Sequence, residues 1–196
     1  MTRILAFSDL HLSRPHAAAI REAARDADLV IGAGDFCNGR HGLEEAMELL
    51  WPFEDRAVYV PGNAESAEEL SAATGAVVLH GQGAERRGLR LFGLGYGVPV
   101  TPFGAWSCDL TEDEAARLLD ACDAADILIT HSPPKGVADR TSAGRSVGST
   151  AVRAAIERVQ PALALVGHIH DSHGTSGLIG ATRVHNLGPV PNWFEL

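Results

Sequence analysis

The sequence Leu163-Ala-Leu-Val-Gly-His-Ile-His170 is an apolar run that stops at a glycine and then places two histidines one residue apart. Such a run, bounded by a breaker, is typical of a buried strand, and Gly167 lets the backbone turn where the strand ends. Residues at i and i+2 of an extended backbone point the same way, so His168 and His170 can face one point. Imidazole is the commonest metal-ligating side chain. The segment alone leaves two interpretations open, a metal site and a pair of solvated loop histidines.

Four other predicted strands end in the same way, with a carboxylate, an amide or an imidazole just after the apolar run. The strands and the polar residues that follow them are Arg3–Phe7 with Asp9 and His11, 28–33 with Asp35, 56–60 with Asn63, and 126–130 with His131. A helix N-cap is the usual structural role of an Asp or Asn after a strand. Five strand ends with the same residue types favour a shared site instead.

The segments between these strands carry helical patterns. Two capping-box spacings, Ser66-x-x-Glu69 and Thr111-x-x-Glu114, mark helix starts. The predicted helices are 15–26, 43–50, 66–73, 111–122 and 149–159. Shorter β segments are predicted at 76–79 and 88–94, separated by a polar turn, and a hairpin is predicted at 177–187 around Gly180. Alternating strands and helices indicate an α/β fold. With 196 residues, 45% of them hydrophobic, we expect a single domain over residues 1–196.

In alternating β and α chains the functional crevice lies outside the carboxyl ends of the strands. We therefore expect the polar side chains at the strand ends to converge. Oxygen donors mixed with imidazoles suit divalent Mn, Fe, Zn, Co or Ni. Seven ligands are too many for one ion, and with Asp35 shared they divide between two ions about 3.5–4 Å apart. The seven candidates are Asp9, His11, Asp35, Asn63, His131, His168 and His170.

The composition indicates which classes of binding partner and which compartment to expect. A formal net charge of −9 and scattered basic residues disfavour a protein that tracks a nucleic-acid backbone. Three cysteines form no disulfide framework and no zinc-knuckle spacing, which indicates a reducing compartment. The N-terminal apolar run is too short for a signal peptide, and no run approaches the ~20 residues of a membrane span. We expect a soluble cytoplasmic protein without membrane contact, acting on a small molecule, with homo-oligomer formation left open.

Taken in order, these motifs resemble the calcineurin-like metallophosphoesterase superfamily. Its pattern is Asp-x-His, Gly-Asp-x-x-Asp/Asn, Gly-Asn-His-Asp/Glu, a lone His, and Gly-His-x-His. In this chain it reads Asp9-Leu-His11, Gly34-Asp-Phe-Cys-Asn38, Gly62-Asn-Ala-Glu65, Thr130-His131 and Gly167-His-Ile-His170. The stretches Gly95–Trp106 and His131-Ser-Pro-Pro-Lys-Gly136 look like the compact, phosphodiesterase-like branch.

The resemblance implies a four-layer α-β-β-α sandwich of two mixed β-sheets flanked by helices. It implies two divalent ions, manganese first, with iron, zinc, nickel or cobalt as alternatives. A hydroxide bridging the ions would attack the phosphorus of a small phosphodiester or, second, a phosphomonoester. In family terms Asp35, Asn63 and His168 would be catalytic. Asp9, His11, Asp35 and His170 would hold one ion, and Asp35, Asn63, His131 and His168 the other.

One position departs from the family pattern. Ala64 stands where the family usually has a histidine that contacts substrate and donates a proton. His41 follows the Asp35 loop and is a candidate substitute, whereas His16, His80, His173 and His185 are expected to be ordinary histidines. Two other functions remain open, a non-catalytic scaffold of the same fold and a nuclease of the same superfamily. The intact ligand set argues against the first, and the short acidic chain argues against the second.

Overall fold

The structure is a computed structural model that describes residues 1–196. Its longest helix has 11 residues, and none of its helices has the length and apolar character needed to cross a membrane. The elements are β1 Arg3–Phe7, α1 Arg14–Ala24, β2 Leu29–Gly32, α2 Leu43–Leu50, β3 Ala57–Tyr59, α3 Ala67–Ala73, β4 Val77–Val78, β5 Gln82–Arg86, β6 Leu89–Leu94, α4 Glu112–Leu119, β7 Ile127–Thr130, α5 Thr150–Val159, β8 Leu163–Val166, β9 Ser176–Ile179, β10 Thr182–Asn186 and β11 Asn192–Glu195, with short 3₁₀ helices at Trp51–Arg56 and His170–Ser172.

The strands form two mixed sheets. The first has the order β11-β1-β2-β3-β4, in which β1 to β4 are parallel and β11 is antiparallel at the edge. The second has the order β5-β6-β7-β8-β10-β9, with antiparallel strands at both edges of a parallel centre. The parallel strands of each sheet carry their carboxyl ends at one edge, which is where the predicted ligands follow.

Both faces of the central strands are buried, and alternate residues enter different cores. Ile4 and Ala6 of β1 belong to a core that also contains Ile127 and Leu163 of the second sheet, so this core lies between the sheets. The other face of the first sheet packs under α1, α2 and α3. The second sheet packs under α4 and α5. This confirms the predicted four-layer α-β-β-α sandwich of two mixed sheets.

Two strands were not predicted. The prediction of a polar turn before residue 88 is wrong, because Gln82–Arg86 forms the strand β5. This strand pairs with β6, and a tight turn at Arg87 and Gly88, both with positive φ, connects the two strands. Residues 192–195 form β11 beside β1. Four of the five β5 residues are exposed, so no apolar alternation marks this strand. This segment is a strand because it pairs with β6, and its own residue pattern does not reveal that pairing.

One carboxylate joins the two helices that cover the second sheet. Glu112, in the first turn of α4, accepts hydrogen bonds from the backbone N–H of Thr150 (2.9 Å) and Ala151 (2.8 Å) and from the Ser149 hydroxyl (2.7 Å) at the start of α5. Burial opposes ionisation of Glu112, but these hydrogen bonds outweigh it and lower its pKa. A negative charge at a helix N-terminus is also favoured by the helix dipole. Glu112 therefore stabilises the α4–α5 layer.

We predict that Glu112→Ala lowers the free energy of unfolding by about 1–3 kcal/mol at pH 7, because hydrogen bonds to a charged group are lost. Its exposed neighbour Asp113 provides the control, and Asp113→Ala should change stability by no more than about 0.5 kcal/mol. Because the pKa of Glu112 is lowered on folding, its contribution is full above the unfolded pKa and is lost as the pH falls through the folded one. Urea denaturation at pH 7 and at acid pH measures both. Equal effects of the two variants would contradict this prediction.

Candidate metal centre

The seven predicted ligands lie together, although they come from both sheets. Asp9, His11, Asp35 and Asn63 follow strands of the first sheet. The other three ligands, His131, His168 and His170, follow strands of the second. Backbone hydrogen bonds join the loops: His11 N–H donates to Asp35 C=O (3.0 Å), and Gly167 N–H donates to His131 C=O (2.9 Å). The loop after β8 is joined to the first sheet by His168 N–H, which donates to the Asp9 carboxylate (3.1 Å). The strand ends therefore meet at one place.

The side chains form two groups, each with ligand atoms within 4.8 Å of one another: Asp9, His11 and His170 in one, and Asp35, His131 and His168 in the other. Asp35 lies between them. Its Oδ2 is 3.5 Å from His11 Nε2, and its Oδ1 is 3.5 Å from His131 Nε2. Asn63 Oδ1 is 3.2 Å from His131 Nε2, on the side of the second group. In the division of ligands that the family resemblance implies, Asp35 is the shared residue, and that assignment stays a prediction.

The ligand loops are tightly packed and strained. Four of the seven residues, Asp9, His11, Asp35 and His168, have positive φ values between 44° and 67°. Left-handed backbone in residues other than glycine is uncommon and clusters at functional sites. A Cβ added at Gly167 would lie 2.6 Å from Asp9 Oδ2, so only glycine allows this approach of the two loops. The fold holds these side chains in a fixed geometry at a cost in backbone energy.

The hydrogen bonds of two histidines fix which ring nitrogen faces the centre. His11 Nδ1 lies 3.1 Å from the Cys37 carbonyl, and His131 Nδ1 lies 2.8 Å from the Ala33 carbonyl. A carbonyl only accepts, so each Nδ1 carries the proton, and in the neutral ring each Nε2 presents a lone pair. These lone pairs face carboxylate and amide oxygens, which also lack protons. Lone pairs facing one another at 3.2–3.5 Å repel unless a proton or a metal cation lies among them. The donor set therefore fits divalent metal ions.

The charges in the centre lead to the same conclusion. Burial disfavours charge on His131, but the carboxylate of Asp35 outweighs that effect and raises the pKa of His131 to about 9, so without a metal ion a proton on its Nε2 compensates the carboxylate. Burial and the positive charge on His131 lower the pKa of His168 to about 4. Burial opposes ionisation of Asp9, yet hydrogen bonds from His170 and His173 hold its pKa well below the usual value. The centre thus keeps its carboxylates ionised and attracts positive charge.

Two further side chains orient the ligands of the first sheet. Asn63 Nδ2 donates to the Ser107 hydroxyl (3.1 Å), which directs Oδ1 toward His131. Glu65 is fully buried and accepts hydrogen bonds from the backbone N–H of Asp35 (2.8 Å) and Gly62 (2.7 Å). Burial, reinforced by the negative charge of Asp35, raises the pKa of Glu65 to about 7. Glu65 thus joins the loop that carries Asp35 to the loop that carries Asn63.

His173 has a contact with the centre that the sequence did not reveal. It was grouped with the ordinary histidines, but its Nε2 lies 3.1 Å from Asp9 Oδ2, which also accepts a hydrogen bond from the Ser8 hydroxyl. The 3₁₀ helix His170–Ser172 explains the position, since residues three apart lie on the same side of such a turn. Spacing from His170 was the only available signal, and it has meaning only once the turn is known.

The other features lie away from the ligands or add none. His41 is exposed, and its backbone pairs with Asn38. A cavity of about 750 Å³ lies between α2 and α3, and no predicted ligand lines it. The centre itself is graded in exposure: His131 is 0% exposed, whereas the side chain of His170 is 56% exposed. The centre is therefore open to solvent on the His170 side.

Comparison with known proteins identifies related chains. Residues 2–172 match the family model described as calcineurin-like phosphoesterase. A UPF0046 protein of Caenorhabditis elegans is 27% identical over 176 residues, which cover 76% of this chain and 58% of that protein. The human metallophosphoesterase domain-containing protein 1 is 34% identical over 121 residues, which cover 58% of this chain and 35% of that protein. The chain therefore spans less than two thirds of the length of these curated relatives.

A solved structure has the same fold. The crystal structure of the protein TT1561 of Thermus thermophilus has a TM-score of 0.75 with this chain at 20% identity, and the match covers 95% of this chain and 89% of that one. At this identity the likeness concerns the architecture.

We predict that His173→Ala weakens binding of a divalent ion at the group that contains Asp9 by about 10–100-fold, because the carboxylate loses the hydrogen bond that orients it. The other group has no contact with His173 and should keep its affinity. Calorimetric titration of the metal-free protein with Mn²⁺ measures the two affinities. His16→Ala, on α1 and outside the centre, is the control. Unchanged affinity in His173→Ala would show that the contact has no part in metal binding.

Proposed function

The chain belongs to the calcineurin-like phosphoesterase family, and on that basis we propose that it hydrolyses a small phosphodiester at a centre of two divalent metal ions. One ion is assigned to Asp9, His11, Asp35 and His170, and the other to Asp35, Asn63, His131 and His168. Manganese is the first choice, with iron, zinc, nickel or cobalt as alternatives, because the donors mix carboxylate oxygen with imidazole nitrogen.

The position of Asp35 carries the proposal. Its two carboxylate oxygens face histidines of different groups, each at 3.5 Å. The Ala64 N–H donates to Oδ1 (2.8 Å), which fixes the carboxylate in this orientation. A carboxylate held so that each oxygen faces a separate set of ligands suits a bridge between two ions. Two bound ions would polarise the phosphoryl group and generate a nucleophile from water at neutral pH.

The chain's own side chains supply orientation and charge. The backbone carbonyls of Cys37 and Ala33 hold His11 and His131 with their Nε2 atoms toward the centre. His168, with a pKa lowered to about 4, is neutral at physiological pH and keeps its lone pair available. Asp9 and Asp35 contribute two negative charges, so two divalent ions leave a net charge of about +2 in an otherwise acidic protein. A phosphate ester is attracted to this spot.

Charge and geometry favour a diester over a monoester. A diester presents two non-bridging oxygens, one for each ion, whereas a monoester presents a third. Arg40 is the basic residue on the loop after Asp35, and its guanidinium is engaged by Glu69 (2.6 Å) and by Cys108 Sγ (3.2 Å). A third oxygen would therefore need a partner from elsewhere. The net charge of −9 supports a small substrate instead of a long polyanion.

We predict that Asp35→Ala releases both ions and lowers hydrolysis of bis-p-nitrophenyl phosphate at least about 100-fold, because neither ion keeps a complete ligand set. His11→Ala should weaken mainly one ion. His41→Ala, which changes an exposed histidine, should keep two ions and full activity. Elemental analysis and assays with bis-p-nitrophenyl phosphate and p-nitrophenyl phosphate across Mn, Ni, Co, Zn and Mg test these expectations.

Two results would oppose the proposal. Two ions per chain in Asp35→Ala would exclude the shared carboxylate. A wild-type chain that binds two ions but hydrolyses neither ester with any of the five metals would support the non-catalytic scaffold instead.

Ala64 generates a separate prediction about the leaving group. The family's usual proton donor is absent from this position, and general acid catalysis typically contributes 10²–10⁴-fold. Aryl esters with acidic leaving groups need no proton, whereas an alkoxide does. We predict a steep Brønsted plot of rate against leaving-group pKa for the wild-type protein and a shallower one for Ala64→His.

The wild-type plot tests the idea without a substitution, which matters because Ala64 is only 1% exposed and a histidine there must displace neighbours. Only variants that bind two ions and melt at the wild-type temperature are compared. A shallow wild-type slope would mean that another group donates the proton.

A further inference from the structure

Two aromatic side chains are exposed beside the metal centre. Phe103 is 51% exposed and Trp106 is 41% exposed. Their rings are nearly parallel, with centroids 5.8 Å apart and planes at 9°. The Phe103 ring also contacts the predicted ligand His168 edge to face, with centroids 6.5 Å apart. Large aromatic groups exposed at a rim and in contact with a candidate ligand are typical of a ligand-binding surface.

The loop that carries this pair is fixed in place. Asp109 accepts hydrogen bonds from the Thr101 N–H (3.0 Å), the Thr101 hydroxyl (2.8 Å) and the Ser107 hydroxyl (2.9 Å). Ser107 in turn accepts from the Asn63 side chain (3.1 Å), and the Cys108 N–H donates to the Asn63 carbonyl (2.9 Å). The rings are therefore held at a defined position relative to the ligand Asn63.

The pair lies against loops that follow strands of both sheets. Phe103 contacts His168, which follows a strand of the second sheet. A Cβ added at Gly39 would be 3.8 Å from the Trp106 ring, so Trp106 packs against the loop that begins at Asp35 in the first sheet. A group attached to a phosphate bound near His168 would therefore lie within reach of these rings.

We propose that Phe103 and Trp106 bind a planar ring carried by the substrate, so that the physiological ester is an aryl or nucleoside phosphate. The inference rests on the proposed function and specifies its substrate class. Aromatic faces favour flat, polarisable rings through offset stacking, and a rigid pair loses little entropy when it binds one. An aliphatic ester group of similar size would gain contact area but no stacking.

Phosphonates keep the ring-bearing group in place, because their carbon–phosphorus bond is not hydrolysed as a phosphate ester is. Methylphosphonate, cyclohexylphosphonate and phenylphosphonate are each used as the monomethyl ester, which presents two non-bridging oxygens as a diester does. They are titrated calorimetrically into the metal-loaded protein, together with the monomethyl ester of the 5′-phosphonate analogue of adenosine. We expect a planar ring to improve affinity over methylphosphonate at least about fivefold, and cyclohexylphosphonate to remain weaker than phenylphosphonate. The ring lies directly on phosphorus in phenylphosphonate and beyond a sugar in the adenosine analogue, so their order identifies an aryl or a nucleoside source.

Substitutions assign the effect to the rings. Phe103→Ala and Trp106→Ala should each lower the ratio of the affinity for phenylphosphonate to that for methylphosphonate, which is the measure of the preference for planar rings. Phe103→Leu keeps an apolar side chain without a ring and should lose the same preference. Val100→Ala, an exposed apolar position on the same loop, is the control. Metal content and thermal melting confirm that each variant is folded and loaded.

A wild-type protein without a preference for planar rings, or a preference that survives all three substitutions, would overturn the inference. Equal binding of cyclohexylphosphonate and phenylphosphonate would do the same, since it would reduce the pair to an apolar patch. Hydrolysis of bis-p-nitrophenyl phosphate by the same preparations separates the two claims. An active enzyme with no ring preference removes only this inference, whereas an inactive, metal-loaded enzyme removes the proposed function.

Discussion

The constraint on which the structure depends is the burial of two carboxylates side by side. Asp9 and Asp35 are almost completely buried, and the charge of Asp9 opposes ionisation of Asp35. Buried charges are costly unless they are paired or hydrogen-bonded. Backbone donors stabilise these charges. The N–H of Ala64 donates to Asp35, and the N–H of His168 donates to Asp9. The neighbouring imidazoles can present lone pairs toward the carboxylates. The backbone N–H groups do not occupy the space between carboxylates and imidazoles, so cations can bind there.

The same constraint couples the metal centre to the packing of the two sheets. The half of the centre that carries the carboxylates follows the strands of the first sheet. The other half, which consists of histidines, follows the strands of the second. The inter-sheet core, which includes Ile4, Ile31, Ile129 and Leu165, sets the distance between the halves. A ligand that binds only the assembled centre stabilises the folded state by mass action. Metal binding would therefore stabilise the packing of the two sheets, and the packing in turn keeps the ligands in place. Both effects restrain the strained loops that carry the ligands.

Much of this arrangement could be predicted from the sequence because each ligand directly follows a buried apolar run. Parallel strands bring their carboxyl ends to one edge of a sheet, so strand assignment already indicated that Asp9, Asp35 and Asn63, which follow neighbouring strands of one sheet, lie near each other. The assignments of metal ligand and catalytic role stay predictions, since proximity alone does not measure binding. His173 could not be found this way, because its approach to Asp9 depends on a 3₁₀ turn. The edge strand β5 was missed for a related reason, since its exposed residues carry no apolar period.

The predicted metal ligands and the side chains proposed to select the substrate occupy different parts of the fold. The predicted metal ligands occupy strand ends, where two layers of core limit any change of geometry. The aromatic pair Phe103 and Trp106 lies on a loop whose conformation depends on Asp109, a residue with no predicted role in metal binding. Loops of this kind vary without disturbing the core, so one scaffold can serve many substrates. The hydrogen bond between Asn63 and Ser107 joins the two parts, because a ligand at a strand end and the loop that carries the rings share it. The proposed substrate selection is thus linked to the metal centre through Asn63 and through the contact of Phe103 with His168, so changes in the loop can reach the predicted ligands by either contact.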